Sequence, residues 1–339
     1  MAQIDPLATK ETKILYDFLK TSATKGTAFG VQTTTSVGIG WKTDQTTPLL
    51  SDVKTITGDY PAVYGFDFKK WKFNLDKGWM TDLEQVKEIH RQGGIITFSW
   101  HADNPFTGGN CKDKSKVNLN DLLPGGAMNS HFNSQLDSIA AFAHAAKVDG
   151  QYIPILFRPL HENTGKWFWW GSDNTPESYI QLFRYVVNYL KSEKKVHSFL
   201  YVYSPSKPKS QAHYLQTYPG DEYIDILAFD AYLEPETEET LDPYVEIVSQ
   251  LAVDKGKVAA ISETGCRKGI QNATINNWFT KYLLSGVLKE KPIAYCMTWH
   301  NTDKHYWIPP LGDPNHADFL KFYRDSSTFF INEIQGVYK

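Results

Sequence analysis

Residues 152–171 read YIPILFRPLHENTGKWFWWG. An apolar run of strand length stops at Arg158, His161 and Glu162, and four aromatics, Trp167, Phe168, Trp169 and Trp170, follow closely. A run that is apolar on both faces is what a parallel strand covered by helices requires. The stretch therefore reads as a buried strand that carries a carboxylic acid to its C-terminal end. Three tryptophans in four residues cannot all point inward from a strand or helix, so at least one is expected to meet ligand or solvent. Aromatic faces stack on the C–H faces of pyranose rings, and a carboxyl group is the usual acid for a glycosidic oxygen, so the stretch points to sugar chemistry.

Seven further runs of the same kind lie along the chain, at 27–32, 62–68, 95–101, 199–205, 224–232, 258–264 and 293–300, with the first at 153–162 making eight. Helical patterns fall between them. Residues 79–92 place Leu83, Val86 and Ile89 or His90 at helical spacing before Gly93-Gly94. Residues 133–147 repeat the pattern, 176–191 open with Thr175 and Pro176 as an N-cap and N1 pair, and 240–253 and 273–288 fill two later slots. Eight strands alternating with helices predict a (β/α)8 barrel of the α/β class, with its active site at the C-terminal ends of the strands. A doubly wound sheet would want a Gly-rich phosphate turn after the first strand, and GVQTTTSVGIG is not one. No repeat, low-complexity stretch or linker divides residues 1–339, which predicts a single catalytic domain. Residues 102–131 read as a large loop over the active-site face.

The 339 residues carry 35 Lys and Arg against 38 Asp and Glu, with no dense basic run, which excludes a nucleic-acid face and favours a neutral substrate. No segment approaches the roughly 18–20 apolar residues of a membrane span. The first residues lack a signal-peptide pattern, so the chain is expected to be cytosolic or a mature form. Cys111, Cys266 and Cys296 lack metal spacing, and buried free thiols are expected.

The predicted strand ends offer His101, His161, Glu162, Asp230, Tyr232, Glu263, Trp299 and His300. Glu162 and Glu263, from strands four and seven, face each other nearly across the barrel mouth. Alternation puts Ala259, Ile261 and Glu263 on one face of their strand, and Arg158, Leu160 and Glu162 on one face of theirs. Two carboxyls over a sugar can hydrolyse a glycosidic bond, one protonated to assist the leaving oxygen and the other ionised to attack C1. These residues alone leave open which Glu takes which role. A metal-dependent barrel hydrolase using His101, His161, Glu162 and His300 would want an HxH pair on the first strand, and TAFGVQ has no histidine. No metal or cofactor is expected. No GxSxG elbow occurs either, so Ser-His-Asp catalysis has no support.

RPLHENTGKWFWWG, the ISETG around Glu263 and FSWHADNPFTGG after strand three resemble glycoside hydrolase family 26, chiefly the β-mannanases of clan A. LLPGGAMNSHF, FDAY and TWH add to the match, which runs from about residue 27 to about 325. The resemblance implies a retaining mechanism with Glu162 as acid/base and Glu263 as nucleophile. It implies that His101, His161 and Trp299 hold the sugar at the cleavage point. Tyr232 would hydrogen-bond the nucleophile, and Trp167 would be the platform on the leaving-group side. One position departs: several family mannanases carry Arg after the strand-eight Trp, where this chain has His300.

The expected activity is endo-cleavage of β-1,4-mannosidic bonds in mannan, glucomannan or galactomannan by a secreted or periplasmic monomer with no membrane span. An exo-acting mannobiohydrolase closed by residues 102–131, a β-1,3-1,4-glucanase or xylanase of the same family, and a non-catalytic sugar-binding barrel are the alternatives.

Overall fold

The computed structural model describes residues 3–43, 49–70, 77–234, 239–288 and 291–338. Among them, eight parallel strands close into a barrel: β1 (Thr27–Gln32), β2 (Val63–Asp67), β3 (Ile95–Trp100), β4 (Ile155–Pro159), β5 (Phe199–Tyr203), β6 (Ile226–Leu233), β7 (Val258–Cys266) and β8 (Ile293–Thr298). Each strand pairs with the next, and β1 pairs with β8 in the register Ala28↔Tyr295 to Val31↔Thr298, which closes the ring. Nearly every strand residue is buried, as a sheet with side chains packed inside and helices outside demands.

The α-helices among the described residues are α1 (Lys10–Ser22), α2 (Asp52–Thr57), α3 (Lys77–Arg91), α4 (Asn129–Ala145), α5 (Pro176–Asn188), α6 (Gln211–Leu215), α7 (Asp242–Lys255) and α8 (His316–Tyr323). Thr175 caps α5 as its sequence predicts, accepting from the Ser178 N–H at 3.2 Å. No helix among the described residues is long and apolar enough to cross a membrane.

Three sequence expectations shift. Strand four was expected to run to residue 162, but β4 ends at Pro159, and Leu160 and Glu162 have φ of 49° and 52°. Glu162 therefore rides on a left-handed turn, and the expected Arg158–Leu160–Glu162 row does not exist. The helix expected over 133–147 begins at Asn129 and ends at Ala145. The one expected over 273–288 begins at Phe279 and winds more widely than an α-helix. Its start is set from outside: Asp318 of α8 accepts from the Phe279 and Thr280 N–H groups at 2.7 and 3.2 Å.

Residues 102–131 lie on the C-terminal face, against the loop after β4. The Trp169 N–H donates to the Cys111 carbonyl and its indole to the Ala102 carbonyl, while Lys114 pairs with Asp173. All three cysteines are buried free thiols, as expected.

Candidate active site

The loop after β4 is held in its strained path by buried aromatic donors. Left-handed backbone at two non-glycine residues costs of order 1–3 kcal/mol each, so it persists only where the surroundings over-determine it. The Tyr179 hydroxyl donates to the Leu160 carbonyl at 2.9 Å and the Trp170 indole to the His161 carbonyl at 2.8 Å. The Glu162 N–H donates to the Ser204 carbonyl at 2.7 Å, and Thr164 Oγ1 both donates to the Ser206 carbonyl and accepts its N–H, at 2.8 and 3.0 Å. Trp169 and Trp170 are thus structural bolts, 1% and 0% exposed, whereas Trp167 is 42% exposed. The expectation that one of the three leaves the core holds. The Trp167 indole folds back to donate to Glu162 Oε2 at 2.7 Å. Gly165 permits this, because a Cβ there would lie 2.3 Å from the indole ring.

Glu263 enters from β7 through a bulge. Phe229 pairs with Ile261 but Asp230 pairs with Glu263, so Ser262 is an extra residue. Bulges re-aim side chains next to functional sites. Here the bulge brings consecutive residues into one network, which the expected alternation of Ala259, Ile261 and Glu263 does not provide. Arg158, 2% exposed, reaches across from β4 and donates to Asp230 at 2.6 Å and to Glu263. The Tyr232 hydroxyl donates to the second Glu263 oxygen at 2.9 Å. Ser262 Oγ donates to Asp230 at 2.7 Å and contacts Ser204 Oγ at 2.6 Å. Gly265, at φ 152°, lets Trp307 lie against the strand end, with its ring 6.3 Å from that of Tyr232.

The electrostatics differ between the two carboxyls. Glu162 is pushed up to about 8, first by burial and then by the charges of Asp230 and Glu263, against the Trp167 hydrogen bond and Arg158. Burial likewise raises Asp230, with Arg158 opposing it and Glu263 adding to the rise. Glu263 has a guanidinium on one oxygen and a phenol on the other, so both oxygens act as acceptors. The Tyr232 hydroxyl is held well above its usual range by burial and by Glu263, and stays a donor.

On the other side of the mouth His101 and His161 meet edge to face, centroids 4.6 Å apart, with Phe168 5.3 Å from each and Trp299 6.2 Å from His101. Both ring nitrogens of His161 are buried, and no hydrogen-bond partner reaches either among the described residues. Burial, Arg158 and His101 hold this imidazole well below its usual range, so it is neutral.

The structure thus groups Glu162 with Trp167, Glu263 with Tyr232, and His101 with His161 and Trp299, all at one end of the barrel. The strand-end residues expected from the sequence include Asp230, without a role, but not Arg158 or Asp67, whose carboxylate meets His101 Nδ1. The available signal was a charged residue inside an otherwise apolar strand run, which is costly unless paired.

A closed (β/α)8 barrel presenting two glutamates and an exposed indole at the strand C-termini has the architecture of a glycosidase barrel. Residues 4–305 match the description of glycosyl hydrolase family 26. The mannan endo-1,4-beta-mannosidase of Bifidobacterium adolescentis is 37% identical over 94% of this chain, and that of Caldalkalibacillus mannanilyticus 28% over 90%. This chain spans 34% of the length of the first and 58% of the second. An endo-beta-1,4-mannanase structure from Cellulomonas fimi superposes with a TM-score of 0.91 at 36% identity, covering 100% of this chain and 79% of that one. A GH26 beta-mannanase structure from Bacteroides ovatus gives 0.87 at 34% identity, covering 97% of each chain. The chain belongs to glycosyl hydrolase family 26.

Proposed function

We propose that this chain is an endo-acting β-1,4-mannanase that hydrolyses mannan, glucomannan or galactomannan with retention of configuration. The observation that carries the mechanism is the contrast between the two glutamates. Glu162, pushed up to about 8, holds a proton at neutral pH, while Glu263 offers two acceptor oxygens oriented by Arg158 and Tyr232. Glu162 gives its proton to the glycosidic oxygen as Glu263 attacks C1, so the leaving sugar departs and a glycosyl ester forms on Glu263. The Glu162 carboxylate then takes a proton from water, whose oxygen attacks C1 and frees Glu263.

His101, His161 and Trp299 hold the sugar at the cleavage point, and Trp167 supplies the platform on the leaving-group side. The bare nitrogens of buried His161 support this, since an unpaired buried polar group is costly until a ligand hydroxyl reaches it. The relatives named as mannan endo-1,4-beta-mannosidases support the substrate. Residues 1–339 act as one catalytic domain, monomeric and working outside the cytoplasm, where mannan is found.

Chromatography of linear mannan digests, sampled from the earliest minutes, tests the reading. A spread of manno-oligosaccharides is expected, with NMR of the fresh products showing the β-anomer first. Mannobiose alone from the start would mean an exo-acting cleft. No products from mannan, β-glucan or xylan would sink the enzyme reading.

A further inference from the structure

Asp67 stands at the end of β2, opposite Ser99 of β3, with its side chain 12% exposed and paired with His101. Its carboxylate collects the Lys69 N–H at 2.8 Å, the His101 N–H at 3.2 Å, the Ser99 hydroxyl at 3.0 Å and the Nδ1 edge of the His101 ring. Convergence of donors on one carboxylate favours its ionised form. Burial alone would raise this acid, but the His101 ring and the two backbone N–H groups reverse that and hold it below the usual carboxylate range. An ionised carboxylate only accepts, so the imidazole nitrogen facing it carries a proton. Whenever the His101 ring is neutral it is therefore the Nδ1–H tautomer, with Nε2 a bare lone pair.

The neighbouring His161 is the opposite case. Among the described residues no hydrogen-bond partner reaches either of its ring nitrogens, so none of them selects its tautomer. The two imidazoles are in contact yet differ in freedom.

We propose that Asp67 is a positioning residue: it locks His101 as a hydrogen-bond acceptor for a sugar hydroxyl, and leaves His161 to adopt whichever tautomer the bound sugar requires. The acceptor role rests on the reading of this face as the sugar site. The tautomer assignment does not.

The test combines ¹⁵N-histidine NMR with a double-mutant cycle. In the ligand-free wild type, the His101 signal, assigned by its loss in His101→Gln, is expected to show a protonated Nδ1 and an unprotonated Nε2. Asp67→Asn is expected to disturb that tautomer and to lower kcat/KM on mannan roughly ten- to hundredfold, the scale of a misplaced binding group. In a His101→Ala background the same Asp67→Asn change should cost little more, because Asp67 acts through His101. A neutral wild-type His101 ring carrying its proton on Nε2 would overturn the proposal, and that measurement does not depend on how well the Asp67 variant folds. An equal loss from Asp67→Asn in both backgrounds would also overturn it, reducing Asp67 to a structural support. The predicted tautomer in a protein that neither binds nor cleaves mannan would defeat the sugar-site reading, and the acceptor role with it.

Discussion

The Trp167 indole N–H donates to Glu162 Oε2 at 2.7 Å, which ties the exposed aromatic of the β4 loop to the carboxyl beside it. One side chain therefore presents an exposed ring face and a hydrogen bond that favours the ionised form of the acid.

Trp167→Phe keeps a flat ring but removes the donor. The hydrogen bond lowers the Glu162 pKa, so its loss should move the alkaline limb of the kcat/KM profile to higher pH. Gly165→Ala should act in the same direction by pushing the indole aside. Unchanged limbs in both variants would break the link between the ring and the acid.

Glu162 also makes stability depend on pH. Its folded-state pKa of about 8 lies above the ordinary 4.5. Below pH 4.5 both folded and unfolded chains hold the proton. Between 4.5 and about 8 the unfolded chain releases it and the folded chain keeps it, so stability falls as pH rises. Glu162→Gln should flatten that part of the profile and melt higher than wild type at pH 8. Parallel melting curves for the two proteins across this window would contradict the assignment.

The two glutamates should separate kinetically. Glu263→Ala is expected to abolish turnover of every substrate while leaving the fold intact. Glu162→Ala should cripple mannan cleavage far more than that of an aryl mannobioside, whose good leaving group needs little acid assistance. Equal losses on both substrates would count against Glu162 as the acid, and the wild-type pH–rate profile should be bell-shaped.

Arg158 bridges two buried carboxylates, so removing it leaves both uncompensated. Arg158→Met should destabilise by about 3–5 kcal/mol, measured by urea unfolding. Arg158→Lys should recover much of the stability but little activity, since an ammonium cannot orient Asp230 and Glu263 with one planar fork. A stable Met variant would mean that one of the acids takes up a proton at little expense.

The barrel is legible in the sequence because each strand is buried on both faces, and a two-sided apolar run shows the strand directly. What the runs do not report is the backbone dihedral. Leu160 is apolar and fully buried, so it reads as strand although it sits at φ 49°. The start of the Phe279–Leu288 helix is hidden for a different reason, because Asp318 caps it from 39 residues away. The glutamates stand out because each lies in a motif that follows an apolar run. Asp67 and Arg158 do not, since their partners His101, Asp230 and Glu263 lie 34 to 105 residues distant and are assigned by the closure of the ring. The hairpin Lys147–Val148 to Gln151–Tyr152, just before β4, carried an overlooked local signal in its Asp149-Gly150 turn, with φ of 51° and 81°.

The reciprocal bond between Thr164 and Ser206 has a consequence for the tempo of turnover. Many enzymes carry a key group on a hinged flap and spend part of each cycle waiting for it to shut. Here the segment bearing Glu162 prolongs the hydrogen-bonded seam between β4 and β5 past the end of the strands. On the proposed reading, cleavage then needs no preparatory motion of this wall. Turnover should then follow solvent viscosity through the arrival and departure of chains.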